Sequence, residues 1–502
     1  MDYASEKSAT GKPGSSRPEG SSPAVSLAVA AITLLAALVR LRSLDALGIT
    51  LDEGFSIFLA RAPFSEFAHT IWRSELNMSP YYLLLRGWIH LGHTEWTIRM
   101  LGVVLSTATV PVVYLLGRRL FHRRTGMAAA LLLAVHPYHR MLAQNARAYP
   151  LVILLVCLAS LCFLQGLTKP TWPVWAAYAV FSAAAVYSHF FAVLVVVAQL
   201  LSLLLLRTDT IPWKPLLYSL ALLAVLLLPC AIFMATNGNG AHVSWVPPFG
   251  LQQLRWLLYS LTLSKARSLI YVFLWCVAAW SAVRATNSAA RWPYWFVFLW
   301  LLAPIALTVA ASFWQSLLVE RFLAICLPAS VLLAAAGIVE LASFSRCAAL
   351  AALALIIVYS ALAIRFYDRH LEFDEGWRQS SHQILRNLQP GDVVIAEGMK
   401  GLAFDYYRDA EYGALPQFQR FDSFASALPA PPPANIWILG WVRPNPIAPG
   451  AVPQSDDQAV QLFTEAHRKE YCRIAAVRDA GITRVWQLSR CSPDGAVPAT
   501  VR

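Results

Sequence analysis

Charged residues are scarce in this chain of 502 residues, where Asp, Glu, Lys and Arg together make up only 14%. A soluble protein carries roughly a quarter of its residues as charged ones, so the composition excludes an ordinary soluble enzyme. Apolar residues take their place, because 58% of the chain is hydrophobic. The composition therefore predicts a polytopic α-helical membrane protein.

Two further absences narrow the function. The sequence contains no P-loop and no Gly-rich strand–turn–helix fingerprint, so a nucleotide-sugar donor bound in the cytosol is not indicated. Six of the eight cysteines lie in or beside apolar segments, where we expect inert packing residues, and no metal-ligand spacing occurs among them. The residues specify no cofactor, and the use of a divalent metal stays open.

Apolar segments long enough to cross a hydrocarbon core of roughly 30 Å recur along the chain. We predict about eleven membrane helices from them. Their approximate spans are 24–43, 97–119, 125–139, 146–167, 172–188, 189–206, 214–235, 269–284, 292–313, 322–342 and 347–366. The first segment is too long for a typical cleaved signal peptide and has no clear cleavage site, so we expect it to be retained.

Positive charge is distributed unevenly between the loops. The segment RRLFHRR (118–124) holds four arginines, and further Lys and Arg residues lie in alternate loops on the same side. Cytoplasmic loops carry such an excess, so this side is predicted to be cytoplasmic, together with the N-terminus. The first outer loop, 44–96, and the C-terminal region then lie outside. This distribution accounts for the net charge of +12 without a nucleic-acid partner.

Changes in composition predict three parts. Residues 1–22 are polar and rich in Ser, Gly and Pro, as in a disordered cytoplasmic tail. Residues 23–367 form the transmembrane part, in whose first outer loop SPYYLLLRGWIHLG is predicted as an interfacial helix. Residues 368–502 are predicted as a small extracytoplasmic α/β domain, with GDVVIAEG, NIWILGWV and TRVWQLSR as strands and SHQILRNL and LAFDYYRD as helices.

Two cysteines, Cys472 and Cys491, lie in this polar C-terminal region. An extracytoplasmic location permits a disulfide between them. Two free thiols are the alternative, because spacing alone does not fix a pairing.

An acidic pair, Asp52 and Glu53, directly follows the first apolar segment in LDEGFSIFLA. Carboxylates at a membrane boundary are costly to place unless they are solvated or have a function. A helix N-cap is the structural alternative, since Asp suits that role. The pair is the first candidate for chemistry at the outer membrane surface.

A second polar cluster lies in HPYHRMLAQNARAYPL, at a predicted outer boundary. It contains His139, Gln144, Arg147 and Tyr149. In a helix, Gln144 and Arg147 share one face. The alternative is an interfacial belt in which the arginines extend to the headgroups.

A third candidate is the start of VERFLAICLPASVLL, where Glu320 and Arg321 precede an otherwise apolar helix. The planar guanidinium of Arg binds phosphate through paired hydrogen bonds. A Glu–Arg ion pair or simple anchoring is the alternative. Together, the three clusters suit a lipid-linked phosphosugar, with Arg on the leaving phosphate and a carboxylate taking the acceptor's proton.

The order of five segments, covering about 24–366, resembles a known family. These segments are LDEGFSIFLA, ELNMSPYYLLLRGW, EWTIRMLGVVLSTATVPVVYLLGRRLF, AQNARAYPL and VERFLAICLP. They are similar to those of the polyprenyl-phosphate-sugar-dependent glycosyltransferases of the GT-C superfamily. The most similar members are bacterial ones related to the protein O-mannosyltransferases and the lipid A aminoarabinose transferase.

The resemblance implies an integral-membrane glycosyltransferase. Such an enzyme moves a mannose-like sugar, or a modified pentose or hexose, from a polyprenyl-phosphate donor to an extracytoplasmic protein, lipid or glycan. It implies an inverting displacement with Asp52, and its neighbour Glu53, as the catalytic carboxylates. Arg147, Tyr149 and Arg321 map to donor binding, to which the helix-face argument adds Gln144.

The chain departs from the family at Met78-Ser79-Pro80-Tyr81, where many relatives carry His-Pro-Pro-Leu. Glu75 and Asn77 are the nearby candidates to replace the missing groups at the acceptor or metal site. His139 is a further candidate of uncertain role.

Two other functions are compatible with a polytopic chain. A transporter or flippase of lipid-linked sugars is the first, but transporters place ionisable residues near the bilayer midplane in broken helices. Here the polar residues lie at the predicted outer boundary. A non-catalytic scaffold for the C-terminal domain is the second, and it would not require about eleven spans.

Overall fold

The structure is a computed structural model, and it describes residues 23–206, 210–237, 246–369, 374–411, 415–441 and 456–491. The predicted tail, 1–22, lies outside the described residues. The fold is mainly helical, followed by a small mixed sheet, which confirms the predicted fold class.

The helices follow one another in the order α1 (Pro23–Leu41), α2 (Leu51–Arg61), α3 (Phe64–Arg73), α4 (Ser79–Trp88), α5 (Glu95–Leu120), α6 (Arg123–Ala134), α7 (Pro137–Ala143), α8 (Tyr149–Thr168), α9 (Trp172–Ser188), α10 (Val193–Leu203), α11 (Trp213–Asn237), α12 (Leu251–Leu261), α13 (Ser268–Arg284), α14 (Ser288–Ala311), α15 (Leu327–Phe344), α16 (Arg346–Arg369), α17 (Trp377–Asn387), α18 (Met399–Glu411) and α19 (Asp457–Ala466). Short 3₁₀ turns precede α10, α13 and α15 and follow α4.

Eight helices of the described residues are long and apolar enough to cross a membrane. They are Pro23–Leu41, Glu95–Leu120, Tyr149–Thr168, Trp213–Asn237, Lys265–Arg284, Ser288–Ala311, Phe322–Phe344 and Arg346–Arg369. The remaining three of the predicted segments also fold as helices, but shorter ones: α6, α9 and α10.

The predicted span 125–139 is wrong at its C-terminal end. Helix α6 ends at Ala134, and Pro137 begins the separate helix α7. A proline lacks the amide donor and restricts the residue before it, so it starts a helix more easily than it continues one.

Helix α15 lies at the centre of the bundle. Its apolar window is 89% buried, against 17% for α1 and α16. A helix that is apolar on all sides is buried by its neighbours. At Gly337 the backbone of α13 approaches so closely that an added Cβ would lie 2.2 Å from the Leu274 carbonyl oxygen, which explains the glycine.

The first outer loop folds into α2, α3 and α4. The predicted interfacial helix corresponds to α4 and the 3₁₀ turn Ile89–Leu91. Tyr81, Tyr82 and Leu85 of α4 are buried. The helix therefore packs one face against the protein.

The C-terminal region contains the strands β1 (Val393–Ile395), β2 (Gln419–Phe421), β3 (Asn435–Trp441), β4 (Tyr471–Ala480) and β5 (Thr483–Arg490). They form one sheet in the order β2-β1-β3-β5-β4. Strand β1 pairs in parallel with β2 and β3, whereas β5 pairs antiparallel with β3 and β4. The three predicted strands correspond to β1, β3 and β5, and the two predicted helices correspond to α17 and α18.

Cys491, directly after β5, is disulfide-bonded. The side chain of Cys472 lies outside the described residues, so its pairing with Cys491 stays a prediction. The predicted domain boundary at 367/368 falls within the last turn of α16, which runs on to Arg369.

Candidate active site

The acidic pair lies in the first turn of α2. Thr50 is the N-cap, and it forms a capping box with Glu53, in which each side chain bonds the other residue's backbone amide. This motif satisfies amides that have no partner within the helix. It fixes where α2 begins and places Asp52 at its second position.

Glu53 is fully buried and both its carboxylate oxygens are engaged. Arg99 Nε donates to Oε1 and Arg99 Nη2 to Oε2, each at 2.8 Å. The backbone amides of Ala146 and Thr50 also donate to it, at 2.9 and 3.0 Å. Burial alone would raise the pKa of Glu53, but the charge and hydrogen bonds of Arg99 hold that pKa below its ordinary value.

Asp52 has a different environment, since 33% of its side chain is exposed. Arg321 Nη1 donates to its Oδ2 at 3.2 Å. Burial would raise the pKa of Asp52, but the charges of Arg147 and Arg321 outweigh it and the pKa lies below its ordinary value. Asp52 is therefore an ionised carboxylate that a ligand can reach.

Arg147 lies between α7 and α8 and points towards α2. Its Nη1 donates to the Asp52 carbonyl at 3.3 Å and to Ser56 Oγ and the Tyr82 hydroxyl at 3.4 Å. Its Nε is buried and has no hydrogen-bond partner among the described residues. Arg147 also lines the cavity at Asp52, where its guanidinium can donate to a bound anion.

Arg321 precedes the 3₁₀ turn Phe322–Cys326, which leads into α15. This turn belongs to the buried core, with Leu323 and Ala324 fully buried. A central helix of the bundle therefore positions the guanidinium that meets Asp52.

An open cavity connects these groups. It is lined by residues of the helical bundle and by Glu375 of the C-terminal region. Its polar lining includes Asp52, Arg147, Tyr149, Glu320, Arg321 and Glu375, and its apolar lining includes Leu44, Leu47, Met141 and Leu142. A pocket with apolar walls and a few convergent polar groups is the usual form of a small-molecule site.

Glu75 lies between α3 and α4 and interacts electrostatically with Arg147. Burial raises the pKa of its carboxyl to about 7. Within that shift, the positive charge of Arg147 opposes the rise and the negative charge of Asp52 adds to it. Among the residues predicted for the acceptor or metal site, Glu75 interacts electrostatically with Arg147 and is affected by the charge of Asp52.

Three other predicted site residues form hydrogen bonds within the protein. Gln144 Nε2 donates to the carbonyls of Arg40 and Arg42 at 2.7 and 2.8 Å, although the residue also lines the cavity. His139 is fully buried and its Nδ1 lies 2.7 Å from Arg40 Nη2. Asn77 Oδ1 accepts from the Phe190 amide at 3.1 Å. His139 is not brought into the cavity.

Sequence reasoning missed Arg99, Tyr82 and Glu375. Arg99 lies inside a predicted membrane helix, and Tyr82 belongs to an aromatic run without a polar pattern. A charged residue within an apolar helix was the available signal for Arg99, since such residues are paired or functional. Glu375 carried no local signal.

No group of three or more His, Cys, Asp and Glu side chains in the described part of the chain is arranged to hold a metal ion.

Residues 80–233 match the sequence model of the dolichyl-phosphate-mannose-protein mannosyltransferase family. A search of curated protein sequences found no significant match. Among solved structures, the fold is similar to that of ArnT from Cupriavidus metallidurans bound to undecaprenyl phosphate, with a TM-score of 0.60 and 13% identity over 93% of this chain and 98% of that chain.

The apo state of the same ArnT gives a TM-score of 0.59 and 15% identity, over 92% of this chain and 98% of that chain. The oligosaccharyltransferase of Archaeoglobus fulgidus, in its apo form, gives 0.48 and 12%, over 78% of this chain and 64% of that chain. The resemblance expected from the sequence is thereby confirmed, because the chain has the fold of the GT-C glycosyltransferases and a segment that matches their mannosyltransferase family.

Proposed function

We propose that this protein is a membrane glycosyltransferase that moves a sugar from a polyprenyl-phosphate carrier to an extracytoplasmic acceptor. The contact between Asp52 and Arg321 at an open cavity carries the proposal. It combines an accessible base with a phosphate-binding cation. ArnT, whose fold is similar, binds undecaprenyl phosphate, which supports a carrier of this class.

In the proposed reaction, Arg147 and Arg321 hold the donor phosphate. Both guanidinium groups lie beside Asp52, and Arg147 retains a buried unpartnered Nε donor. Fixed cations stabilise the negative charge that gathers on a leaving phosphate. We assign Tyr149 to the same side, because it lines the cavity with both arginines.

Asp52 acts as the general base. The acceptor hydroxyl gives its proton to the Asp52 carboxylate while its oxygen attacks the anomeric carbon. The bond from that carbon to the phosphate oxygen breaks, and polyprenyl phosphate leaves with the electron pair. A single displacement of this kind inverts the anomeric centre.

Donor binding itself prepares the base. The contact with Arg321 helps to lower the pKa of Asp52, which weakens its basicity. A phosphate that takes hydrogen bonds from Arg321 reduces this stabilisation. The carboxylate then becomes more basic when the sugar is in place.

Glu53 has a positioning role in this scheme, because Arg99, Thr50 and Ala146 occupy both its oxygens. Glu75, with its pKa near 7, is the second acidic group on the acceptor side.

A transporter is the alternative function. Transporters place their charged groups within broken helices near the bilayer midplane. The Arg–carboxylate contacts of this protein lie beside the N-terminus of α2, so they favour the glycosyltransferase.

The test uses purified full-length protein with undecaprenyl-phosphate-linked mannose and, separately, the aminoarabinose-linked carrier. Acceptors are supplied as a membrane extract. The expected result is release of undecaprenyl phosphate together with a glycosylated product of inverted anomeric configuration. Movement of intact lipid-linked sugar across vesicle membranes without bond cleavage would instead establish the transporter.

A further inference from the structure

The segment that carries Asp52 is held from the C-terminal region as well as from the bundle. Glu375, two residues before α17, is buried, and its Oε2 accepts from the Leu51 amide at 3.2 Å. Leu51 is the first residue of α2 and the direct neighbour of Asp52. The two bonded residues are separated by 324 positions.

This contact closes a gap that the capping box leaves. The first amides of a helix have no partner within the helix. Thr50 satisfies the Glu53 amide, and Glu375 satisfies the Leu51 amide. The peptide between Thr50 and Leu51 is therefore held by α2, through the Gly54 amide, and by the C-terminal region, through Glu375.

Glu375 is itself held in place. Trp377 Nε1 donates to the same Oε2 at 2.7 Å, and the Trp377 ring is fully buried. Glu375 Oε2 therefore accepts directed hydrogen bonds from the Leu51 amide and the Trp377 indole.

Two more side chains of the C-terminal region hold the residues just before α2. The Ile49 amide donates to the Tyr407 hydroxyl at 2.6 Å. Arg378 Nη2 donates to the carbonyls of Asp45 and Leu47 at 2.8 and 3.0 Å. Gly48 fits between them, since an added Cβ would lie 3.1 Å from both Arg378 Cβ and the Tyr407 oxygen.

We propose that Glu375 is a positioning residue for Asp52, so that the C-terminal region completes the active site. The inference rests on the proposed function of Asp52. Its physical basis is orientation, because the carboxylate of Asp52 takes its direction from the first turn of α2. A displacement of the order of 1 Å at a reacting group costs about 100-fold in rate.

The experiment compares Glu375→Ala and Glu375→Gln in the full-length protein. The donor is undecaprenyl-phosphate mannose, or the undecaprenyl-phosphate-linked sugar that the wild type transfers. In Glu375→Ala, the single-turnover rate of sugar transfer from this donor should fall about 10- to 100-fold. The dissociation constant for undecaprenyl phosphate should not change. Glu375→Gln should recover most of the rate, because its amide oxygen still accepts the two hydrogen bonds.

Glu397→Ala is the matched control. Glu397 also accepts a backbone amide within the C-terminal region, that of Phe424 at 3.1 Å, but it does not contact α2 in any hydrogen bond described here. Its rate should match the wild type. A normal rate in Glu375→Ala, or an equal loss in both Glu375 variants together with weaker donor binding, would overturn the proposal.

Hydrogen exchange of the peptide 45–55 separates this proposal from the proposed function. Exchange should be faster in Glu375→Ala than in the wild type and in Glu397→Ala, whether or not sugar is transferred. If the wild type transfers no sugar, the proposed function is wrong. If exchange is also unchanged in Glu375→Ala, the role of Glu375 in holding the start of α2 is wrong as well.

Discussion

Asp52 Oδ2 accepts a hydrogen bond from Arg321 Nη1 at 3.2 Å, although 269 positions separate the two residues. Each side chain remains about one third exposed, at 33% and 30%. The ion pair between Glu53 and Arg99 is buried instead, since these side chains are 0% and 3% exposed. Of these two ion pairs, a ligand can therefore reach and separate the Asp52–Arg321 pair.

Asp52→Asn should lower the transfer rate by about 10²–10⁴-fold, the usual contribution of a general base. The amide keeps the shape but does not accept the proton. Binding of undecaprenyl phosphate should survive or tighten, because Arg321 no longer pairs with a charged carboxylate. Asp45→Asn, an exposed aspartate of the same loop, is the control. A near-normal rate in Asp52→Asn would remove Asp52 as the base.

Glu53→Gln should destabilise the protein, in contrast to Asp52→Asn. Removal of one charge from a buried ion pair leaves the Arg99 guanidinium without its counter-ion, at a cost of about 3–5 kcal/mol in the free energy of unfolding. Thermal unfolding of the two variants in the same detergent measures the difference. Equal midpoints for both variants and the wild type would contradict the structural role of Glu53.

Arg321→Ala should weaken binding of undecaprenyl phosphate by about 10- to 100-fold, the equivalent of one charge-assisted hydrogen bond. Arg321→Lys keeps the charge but loses the planar fork, so its effect should be smaller. Arg255→Ala, at an exposed cation of α12, should bind like the wild type. If Arg321→Ala bound the carrier as the wild type does, the phosphate would have to be held elsewhere.

Glu75 should give the protein a pH-dependent stability. Its pKa is about 7 in the folded protein against an ordinary 4.5, so between these values the folded state holds a proton that the unfolded state has lost. The free energy of unfolding therefore falls as pH rises through this window.

Glu75→Gln should flatten that dependence, since the amide does not titrate. Thermal unfolding between pH 4.5 and 7 measures it. Glu66→Gln, at an exposed glutamate of α3, should retain the slope of the wild type. The same slope in all three proteins would show that Glu75 is not the responsible group.

The C-terminal region should lie on the side of the membrane opposite to RRLFHRR. The positive charge of that loop predicts a cytoplasmic location, and the contacts of Glu375 and Tyr407 place the C-terminal region beside the N-terminus of α2. Reporter fusions at Arg124 and after Asp456 should report opposite sides. Identical reports would reject this orientation.

The helical bundle and part of the C-terminal sheet were predictable because their signals are local. Hydropathy over about 20 residues identifies a membrane helix, and each predicted segment does fold as a helix. The predicted span 125–139 ran past the end of α6, although Pro137 and the flanking His136 and His139 mark a polar break in the sequence. Strands β2 and β4 were not predicted, because β2 has only three residues and β4 contains the charged residues Arg473, Arg478 and Asp479.

The sequence by itself determined that this is a polytopic helical membrane protein, and it identified Asp52, Glu53, Arg147 and Arg321 as candidates. Only the tertiary structure decided their different surroundings. Asp52 and Glu53 are adjacent in sequence, yet the turn of α2 directs one carboxylate to Arg321 at an open cavity and the other to Arg99 in the interior. Burial and pairing depend on residues distant in the chain, and so does the contact of Glu375 with Leu51. Local composition does not predict these contacts, because they form only when the helices of the bundle and the C-terminal region pack together.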